Sequence, residues 1–407
     1  MMKRISVCLA ALVCVAALAW ADKPFYESQL IFPQEHLHNH GSCIVECPNG
    51  DLMCCWFHGS GERTADDVEI LGARKVKMTG KWTKPFVMAD TPGFPDTNCC
   101  MIIDKQARLW LLWPTIMAHT WESALMKYKI STNYMMPDGP PVWDVMKVLH
   151  MKPGDDFEQK VRAKTEAYVK SMGADMTGIV KQWADHNYAQ ASDMLTRRLG
   201  WFTRAHPKIL DDGRMLVGLY SDGFSFSMVA ITDDWGKSWS FSDPIVGGGN
   251  IQPSFAVKKD GTIVAYMRDN GPPPKRVMVS ESKDRGMTWS TVYDHPQLPN
   301  PGAGLEVANL ADGDWICAYN DLENGRNSLA VSISDDEGKT WKWTRHLEHS
   351  APGTGSYAYP SIIQACDGTL HVSYSYSIDK PAAGQVKGQS IKYAHFNKAW
   401  VLAGDPK

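Results

Sequence analysis

The sequence has no long run of basic residues, and its 42 Lys and Arg against 45 Asp and Glu leave a net charge of −3. Proteins that bind a phosphate backbone need a concentrated positive surface, so nucleic acid is not an expected partner. Hydrophobic residues make up 44% of the chain, which excludes disordered and collagen-like classes. Beyond residue 21 no apolar run is long enough to span a membrane, and we expect no membrane partner for the mature protein.

The N-terminus has the pattern of a secretory signal peptide. Lys3 and Arg4 precede an apolar run at 5–20, and small residues surround a cut before Asp22. We predict a signal peptide over residues 1–21 and a secreted or periplasmic mature chain over 22–407. An uncleaved membrane anchor is the alternative, although the apolar run is short for a spanning helix.

The cysteines form no CxxC motif. Cys54 and Cys55 are adjacent, as are Cys99 and Cys100, and adjacent side chains on a strand point to opposite faces. Neither pair therefore resembles a zinc or redox site. Export permits disulfides, but we expect buried free thiols, and we predict no metal and no cofactor.

The sequence is rich in internal repetition instead. Two apolar runs joined by a tight turn recur six times, and five of the six turns are Asn-Gly or Asp-Gly, the signature of a β-hairpin. The hairpins lie roughly 50 residues apart, apart from one doubled gap. Over 152–200 apolar residues are interleaved with charged ones, and no turn dipeptide intervenes. This pattern predicts a helical insertion in that gap, between the second and third repeats. The hairpins span 42–57, 99–113, 207–220, 253–267, 306–319 and 360–374.

A second repeat has the pattern S/T-x-D-x-G-x-S/T-W, known as an Asp-box. It occurs at 232–239, 282–289 and 334–341. The Asp carboxylate can accept backbone N–H bonds, the Gly permits a positive φ and the Trp packs under the turn. We therefore interpret Asp234, Asp284 and Asp336 as structural residues.

Repeats of this length cannot bury both of their faces alone and must stack on one another. Six units that close radially make a six-bladed β-propeller. We predict an all-β propeller over 22–407 with Asp-box turns and one helical insertion, closed by a strand within 390–401 beside one near 29–32. A β-sandwich is the weaker alternative because it does not explain six equal periods.

In such a propeller the hairpin ends opposite the turns meet on one face around the axis. Several cations converge there, which indicates an anionic ligand, and we include Arg63 and Asp269 among the residues that contact it. The strand ends carry His40, Asn98, Arg204, His206, Gln252, Glu306 and Tyr359 on entry, and the segment 63–67, Asp222, Arg268, Asp269, Asn320, Asp321 and Tyr376 on exit.

These Asp-boxes and hairpins resemble the sialidase (neuraminidase) superfamily, specifically the bacterial BNR/Asp-box sialidase-like proteins. The resemblance covers nearly the whole mature chain. It implies a propeller that hydrolyses terminal sialic acids with retention. An arginine triad would bind the carboxylate, a Tyr assisted by a Glu would be the nucleophile, and an Asp would be the acid/base.

Four of these features have matching residues here. Arg268 in AYMRDN resembles the second arginine of the family, and Arg326 in GRNSLAVSIS resembles the third. Tyr359 in YAYPS resembles the nucleophile. Asp66 or Asp67 in GERTADD lies where the resemblance places the acid/base.

Two positions depart from the family. His40 stands in place of the first arginine, and Gln252 in place of the glutamate. A Gln can bond the tyrosine but cannot take its proton. We therefore consider Glu306 and His206 as candidate bases, and Arg204 as a third cation supplied by a different blade.

The resulting prediction is a secreted exo-glycosidase, retaining or inverting, whose partner is a carbohydrate with a terminal anionic sugar. One alternative is a uronate lyase that uses His40, His206 and Tyr359, and another is a sugar-binding propeller without turnover. A zinc enzyme is disfavoured because His36, His38 and His40 have no evident carboxylate or Cys partner. The 152–200 insertion is predicted to be either a lid or a bracket on the outer rim.

Overall fold

The computed structural model describes residues 23–381, 384 and 386–406. The predicted signal peptide, residues 1–21, lies outside this part of the chain. The described strands form six sheets whose inner strands contact one another around a common axis. The predicted six-bladed β-propeller is confirmed.

The blades are numbered in chain order, and their strands run from the axis outward. One strand, β1 (Tyr26–Leu30), precedes the first blade. Blade 1 contains β2 (His38–Glu46), β3 (Leu52–Gly59), β4 (Glu69–Val76) and β5 (Lys81–Trp82), with β6 (Phe86–Ala89) also paired to β4. Blade 2 contains β7 (Cys100–Ile103), β8 (Leu109–Ile116), β9 (Ala124–Ser131) and β10 (Val145–Val148). Blade 3 contains β11 (Lys208–Ile209), β12 (Met215–Ser221), β13 (Phe226–Thr232) and β14 (Ser240–Phe241).

The second half of the ring repeats this arrangement. Blade 4 is β15 (Asn250–Val257), β16 (Ile263–Asp269), β17 (Arg276–Ser282) and β18 (Tyr293–Pro299); blade 5 is β19 (Glu306–Asn309), β20 (Trp315–Tyr319), β21 (Ser328–Ser334) and β22 (Trp343–His349); blade 6 is β23 (Gly355–Gln364), β24 (Leu370–Ile378) and β25 (Gly388–Phe396), completed by β1.

The middle strands are buried on both faces because each blade is packed between two others. Every residue of β8, β12, β13 and β21 is buried. These strands therefore appear in the sequence as runs of apolar and small hydroxyl residues without a charged position, and without the alternation of a half-exposed strand.

The ring is closed by the pairing of β1 with β25, in which Gln29 lies opposite Tyr393. The predicted closing strand over 390–401 is too long at its C-terminal end, since β25 stops at Phe396 and α4 (Lys398–Leu402) follows. Asn397 explains the change: its side-chain oxygen accepts a hydrogen bond from the Trp400 N–H and caps the helix.

The segment 152–200 contains three helices, α1 (Phe157–Ser171), α2 (Gly178–Ser192) and α3 (Met194–Arg198). The ring of Phe157 packs edge-on against Trp201 and Phe224 beside blade 3. None of the helices in the described ranges is both long and apolar enough to cross a membrane.

The Asp-box carboxylates hold their turns together. Asp234 accepts the backbone N–H of Ser238 at 2.9 Å and its hydroxyl at 2.6 Å, and these bonds lower the pKa of Asp234 to about 2. Asp284 and Asp336 make the same pair of bonds to Thr288 and Thr340. The three boxes connect strands on the outside of the blades.

The eight cysteines of the described residues are all free thiols. Seven are buried, as expected from the sequence, whereas Cys366 is exposed.

Candidate active site

Two cavities lie at opposite ends of the propeller axis. The site cavity, of about 350 Å³, is formed where the inner strands begin. The opposite cavity, of about 540 Å³, lies where the same strands approach their hairpin turns. The site cavity is the more polar of the two and is lined by His40, Glu62, Asn98, Trp121, Tyr220, Asp222, Gln252, Arg268, Asn270, Arg326 and Tyr359.

β-Bulges turn two of these side chains toward the axis. The pairing register shifts between Ile251 and Ser254 in β15, and between Ala358 and Ser361 in β23. The extra residues Gln252 and Tyr359 have φ values of 58° and 54°. Such left-handed backbone costs roughly 1–2 kcal/mol per non-glycine residue, and bulges of this kind re-aim side chains at functional sites.

Tyr359 lies at the centre of a cationic environment. Its Oη accepts a hydrogen bond from Arg268 Nη1 at 2.8 Å. The guanidinium carbons of Arg204 and Arg326 lie 5.2 and 5.3 Å from the centre of its ring. The three arginines come from blades 3, 4 and 5, so only the closed ring brings them together.

The surrounding charge lowers the pKa of the Tyr359 phenol below its usual value of 10. Burial by itself acts in the opposite direction, but Arg268, Arg326 and the hydrogen bond from Gln252 outweigh it. A phenol with a lowered pKa reaches its nucleophilic phenolate form at lower pH. Tyr359 therefore gains some of the activation that a neighbouring carboxylate base would otherwise supply.

Gln252 links this phenol to a second one. Its Nε2 lies 3.4 Å from Tyr359 Oη and donates to Tyr220 Oη at 3.1 Å. Asn98 Nδ2 also donates to Tyr220, at 2.9 Å. Burial raises the pKa of Tyr220 well above its usual value, so the two phenols are electrostatically different.

His40 does not replace the missing arginine as a cation. Its ring lies 4.2 Å from the Tyr359 ring, centre to centre. Burial, followed by the positive charges of His38 and the three arginines, lowers its pKa well below 6.5. Arg204 is cationic, but it does not line the site cavity. Its Nη2 donates a hydrogen bond to the Pro360 carbonyl at 2.6 Å.

The structure does not place Glu306 or His206 at the phenol, where the sequence-based hypothesis needed a base. Glu306 Oε1 accepts the backbone N–H of His206 at 2.7 Å and pairs with its Nδ1 at 2.8 Å. Glu306 Oε2 accepts the Ile362 N–H, and His206 Nε2 lies 2.8 Å from the Ile44 carbonyl. This pair, the axial clasp, therefore joins blades 1, 3, 5 and 6 and lines the opposite cavity.

The axial clasp is an ion pair. Burial opposes both charges, but the Cys43 sulfur, 3.3 Å from His206 Nε2 and with its own pKa lowered well below 9, and the Glu306 carboxylate raise the pKa of His206 well above 6.5. His206 and Arg204 lower the pKa of Glu306 below 4.5. Neither group is therefore free to take a proton from Tyr359.

The predicted acid/base aspartates also lie outside the site cavity. Asp66 is exposed and pairs with His119 Nε2 at 2.6 Å. Asp67 accepts the Ser60 N–H and hydroxyl and so holds the turn of that loop. Arg63 lies over the Trp121 ring at 5.1 Å, at the margin of the cavity.

Asp269 was predicted to contact the ligand, but the structure places it outside the lining of the site cavity. Adjacent residues in a strand point to opposite faces, so Arg268 points into the site cavity and Asp269 points away from it. The Asp269 carboxylate instead accepts the backbone N–H groups of Gly271 and Arg276. It shapes the loop after β16.

Two carboxyl groups of the site cavity were missing from the predicted acid/base set. Asp222 was in the ring of strand-end residues, and Glu62 lies one residue before the predicted 63–67 segment. Within that ring Asn320, Asp321 and Tyr376 do not line the cavity. Strand ends therefore identify the face on which the site cavity lies, but side-chain direction decides which residues line it.

His36, His38 and His40 do not form a metal centre, because the described residues contain no group of three or more His, Cys, Asp or Glu side chains arranged to hold a metal ion. His38 instead pairs with Glu62 at 3.1 Å.

Comparison with known proteins supports the resemblance found in the sequence. Residues 180–372 match a family described as a BNR repeat-like domain. A sialidase from Micromonospora viridifaciens is 25% identical over 187 residues, which cover 44% of this chain and 26% of the relative. An anhydrosialidase from Macrobdella decora is 25% identical over 181 residues, which cover 40% of this chain and 23% of the relative. The match thus spans about a quarter of each curated relative.

The fold has matches among solved structures. The NanB sialidase from Streptococcus pneumoniae superimposes with a TM-score of 0.66 at 12% identity, over 92% of this chain and 71% of that one. At this identity the match shows the fold alone. Together with the Asp-boxes, these findings show that the chain is similar to sialidase-like BNR-repeat proteins.

Proposed function

We propose that this protein is an exo-glycosidase that releases a terminal anionic sugar, sialic acid or a related acidic sugar. The observation that carries the proposal is Tyr359 Oη, bonded by Arg268 at 2.8 Å in a cavity that also presents Arg326. Relatives named sialidase and anhydrosialidase support this choice of sugar class. The predicted signal peptide favours action outside the cytoplasm.

In this mechanism Arg268 and Arg326 bind the carboxylate of the sugar. Planar guanidinium groups match a carboxylate in charge and geometry. The Tyr359 phenolate then attacks the anomeric carbon and the leaving oxygen departs. Water cleaves the resulting glycosyl–tyrosine bond, with retention of configuration, a route that sialidases with a Tyr nucleophile follow in place of the two-carboxylate scheme.

A uronate lyase is the second candidate, favoured by one observation. The imidazole of His40 is held neutral beside Tyr359, and Gln252 stands where a carboxylate would activate that phenol. A neutral imidazole can remove a proton next to a carboxylate that arginines have neutralised.

The test is to incubate the 22–407 protein with a fluorogenic sialoside and, in parallel, with uronides and neutral glycosides. Tyr359→Phe and Arg268→Ala are compared with the wild type, and Tyr376→Phe is the matched control because Tyr376 packs against Tyr357 outside the site cavity.

Release of sialic acid that is lost in the two site variants and retained in the control supports the proposal. An unsaturated product from a uronide identifies the lyase. Affinity without any product identifies a propeller that only binds sugar.

A further inference from the structure

Two carboxyl groups line the site cavity, those of Glu62 and Asp222. Departure of a sugar alkoxide needs a proton from a positioned acid, a contribution worth roughly 10²- to 10⁴-fold. Since Asp66 and Asp67 lie outside the cavity, the acid must be sought among the groups that line it. This inference rests on the proposed glycosidase function and deepens it.

Glu62 is ionised in the resting site. Its Oε1 lies 3.1 Å from His38 Nε2. Burial by itself raises the pKa of Glu62, but the hydrogen bond and charge of His38, together with Arg63 and Arg326, bring it below its usual value. A carboxylate that is ionised in the resting site has no proton to donate.

Asp222 differs from Glu62 in that its pKa is raised. It follows the last residue of β12 and is half-buried in the wall of the site cavity. Burial is the largest influence and raises its pKa to about 6. The charged groups that face it are Arg268 and Arg63, which lower this pKa, and Glu122 and Glu62, which raise it.

Asp222 also lies close to the nucleophile's own network. It follows Tyr220, the phenol that Gln252 links to Tyr359, by two positions. Strand periodicity places residues two apart on the same side, and both residues line the cavity. The acid and the nucleophile would therefore act on one bound sugar.

We propose that Asp222 is the catalytic proton donor of this site. As the bond between the anomeric carbon and the leaving oxygen breaks, that oxygen takes the bond's electron pair and the Asp222 proton, while the Tyr359 phenolate forms the new bond to carbon. In the second step the Asp222 carboxylate takes a proton from water, the water oxygen bonds to carbon and the phenolate leaves. The net reaction consumes one glycoside and one water.

The experiment compares two sialosides that differ in their leaving group, sialyl-lactose with a poor one and 4-nitrophenyl sialoside with an activated one. Asp222→Asn is expected to lose at least about 100-fold in kcat/KM on sialyl-lactose and less than about 10-fold on the activated substrate, which needs little proton donation. Asp66→Asn is the matched control, and Asp222→Glu tests rescue by a second carboxyl group.

The pH profile gives an independent readout. With the wild type, the rise of kcat/KM with pH on sialyl-lactose should bend into a limb of lower slope at about pH 6, the pKa of Asp222, because the protonated fraction of the acid falls there while the phenolate fraction of Tyr359 still increases. The Asp222→Asn variant should lack this limb.

Each outcome decides between named alternatives. Equal losses on both substrates, or an unchanged pH limb, overturn the assignment to Asp222 while leaving the glycosidase function intact. A leaving-group-dependent loss in Glu62→Gln, and not in Asp222→Asn, assigns the acid to Glu62. No turnover of either substrate by the wild type overturns the proposed function itself, and this assignment with it.

Discussion

The two ends of the propeller axis differ in their lining residues and in how their buried polar groups are satisfied. At the axial clasp, Glu306 and His206 use their side-chain polar atoms on each other and on the backbone of neighbouring blades. At the site cavity, Arg268 Nε and Gln252 Oε1 have no hydrogen-bond partner among the described residues. Buried polar groups in native proteins are normally paired, so these two atoms of the site cavity are free to bond a ligand.

The comparison also shows that cavity size is a poor guide to function here. The opposite cavity is larger, at about 540 Å³ against 350 Å³, yet its two charged axial groups neutralise each other. The smaller site cavity has bulged inner strands and a phenol with a lowered pKa. Backbone strain and perturbed pKa values together are typical of functional sites.

Breaking the axial clasp should have the largest effect on stability. In Glu306→Gln the buried imidazolium loses the carboxylate that bonds its Nδ1, and we expect a loss of about 3–5 kcal/mol in the free energy of unfolding, measured by urea denaturation. The lowered pKa of Tyr359 rests on arginines and not on the clasp, so kcat of the folded fraction should be unchanged. A loss of activity without a loss of stability would contradict the division between the two ends.

Weakening carboxylate binding in the site cavity should have the reverse effect: activity falls and the free energy of unfolding does not change. In Arg268→Lys the charge remains, but the planar fork that matches a carboxylate is lost. We expect about 1.5–3 kcal/mol less binding energy, seen as a rise of roughly 10- to 100-fold in KM, with unfolding unchanged. Arg276→Lys is the matched control because Arg276 pairs with Glu323 outside the site cavity; an equal rise in its KM would contradict the assignment.

The pH dependence of stability should sharpen the comparison. His206 has a folded pKa above 6.5, so its contribution is complete below pH 6.5 and is lost as the pH rises through the folded value. Glu306 has a folded pKa below 4.5, so its contribution is complete above pH 4.5 and is lost as the pH falls. The difference in unfolding free energy between wild type and Glu306→Gln should therefore be largest between about pH 4.5 and 6.5 and smaller above it. A difference that stays constant as the pH rises above 6.5 would show that the His206 imidazole is neutral in the folded protein.

The smallest effect is expected on the outer rim. In Asp284→Ala the turn loses its bonds to the Thr288 N–H and hydroxyl. Because Asp284 is exposed, we expect only about 1 kcal/mol of destabilisation, with kcat and KM unchanged. The neighbouring Lys283→Ala serves as the control and should change neither quantity. A kinetic effect of Asp284→Ala alone would argue against a purely structural Asp-box.

Much of the fold was predictable because its signals are local. The turn dipeptides, the period of the hairpins and the Asp-boxes each depend on residues a few positions apart. The end of the closing strand was predicted wrongly at Asn397, where a single capping side chain outweighs the apolar pattern that continues into α4.

The site was predicted less completely, for two physical reasons. Bulges decide that Tyr359 and Gln252 point to the axis, and contacts within the β3–β4 loop and with His119 hold Asp67 and Asp66 outside the site cavity. Ionisation depends on neighbours from other blades. Burial and arginines from those blades lower the pKa of His40, and the HNHGSC segment alone could not indicate this.

The sequence by itself therefore determined the repeat, the number of blades, the structural role of the Asp-boxes, and the arginines and tyrosine that resemble the sialidase set. The tertiary structure alone decided that Glu306 and His206 form a clasp, that Asp269 turns away from the site cavity, and that Asp222 and Glu62 are the carboxyl groups of that cavity. The reason is that closing the ring brings together residues from distant blades, and their distances and burial set both the direction and the charge of each group.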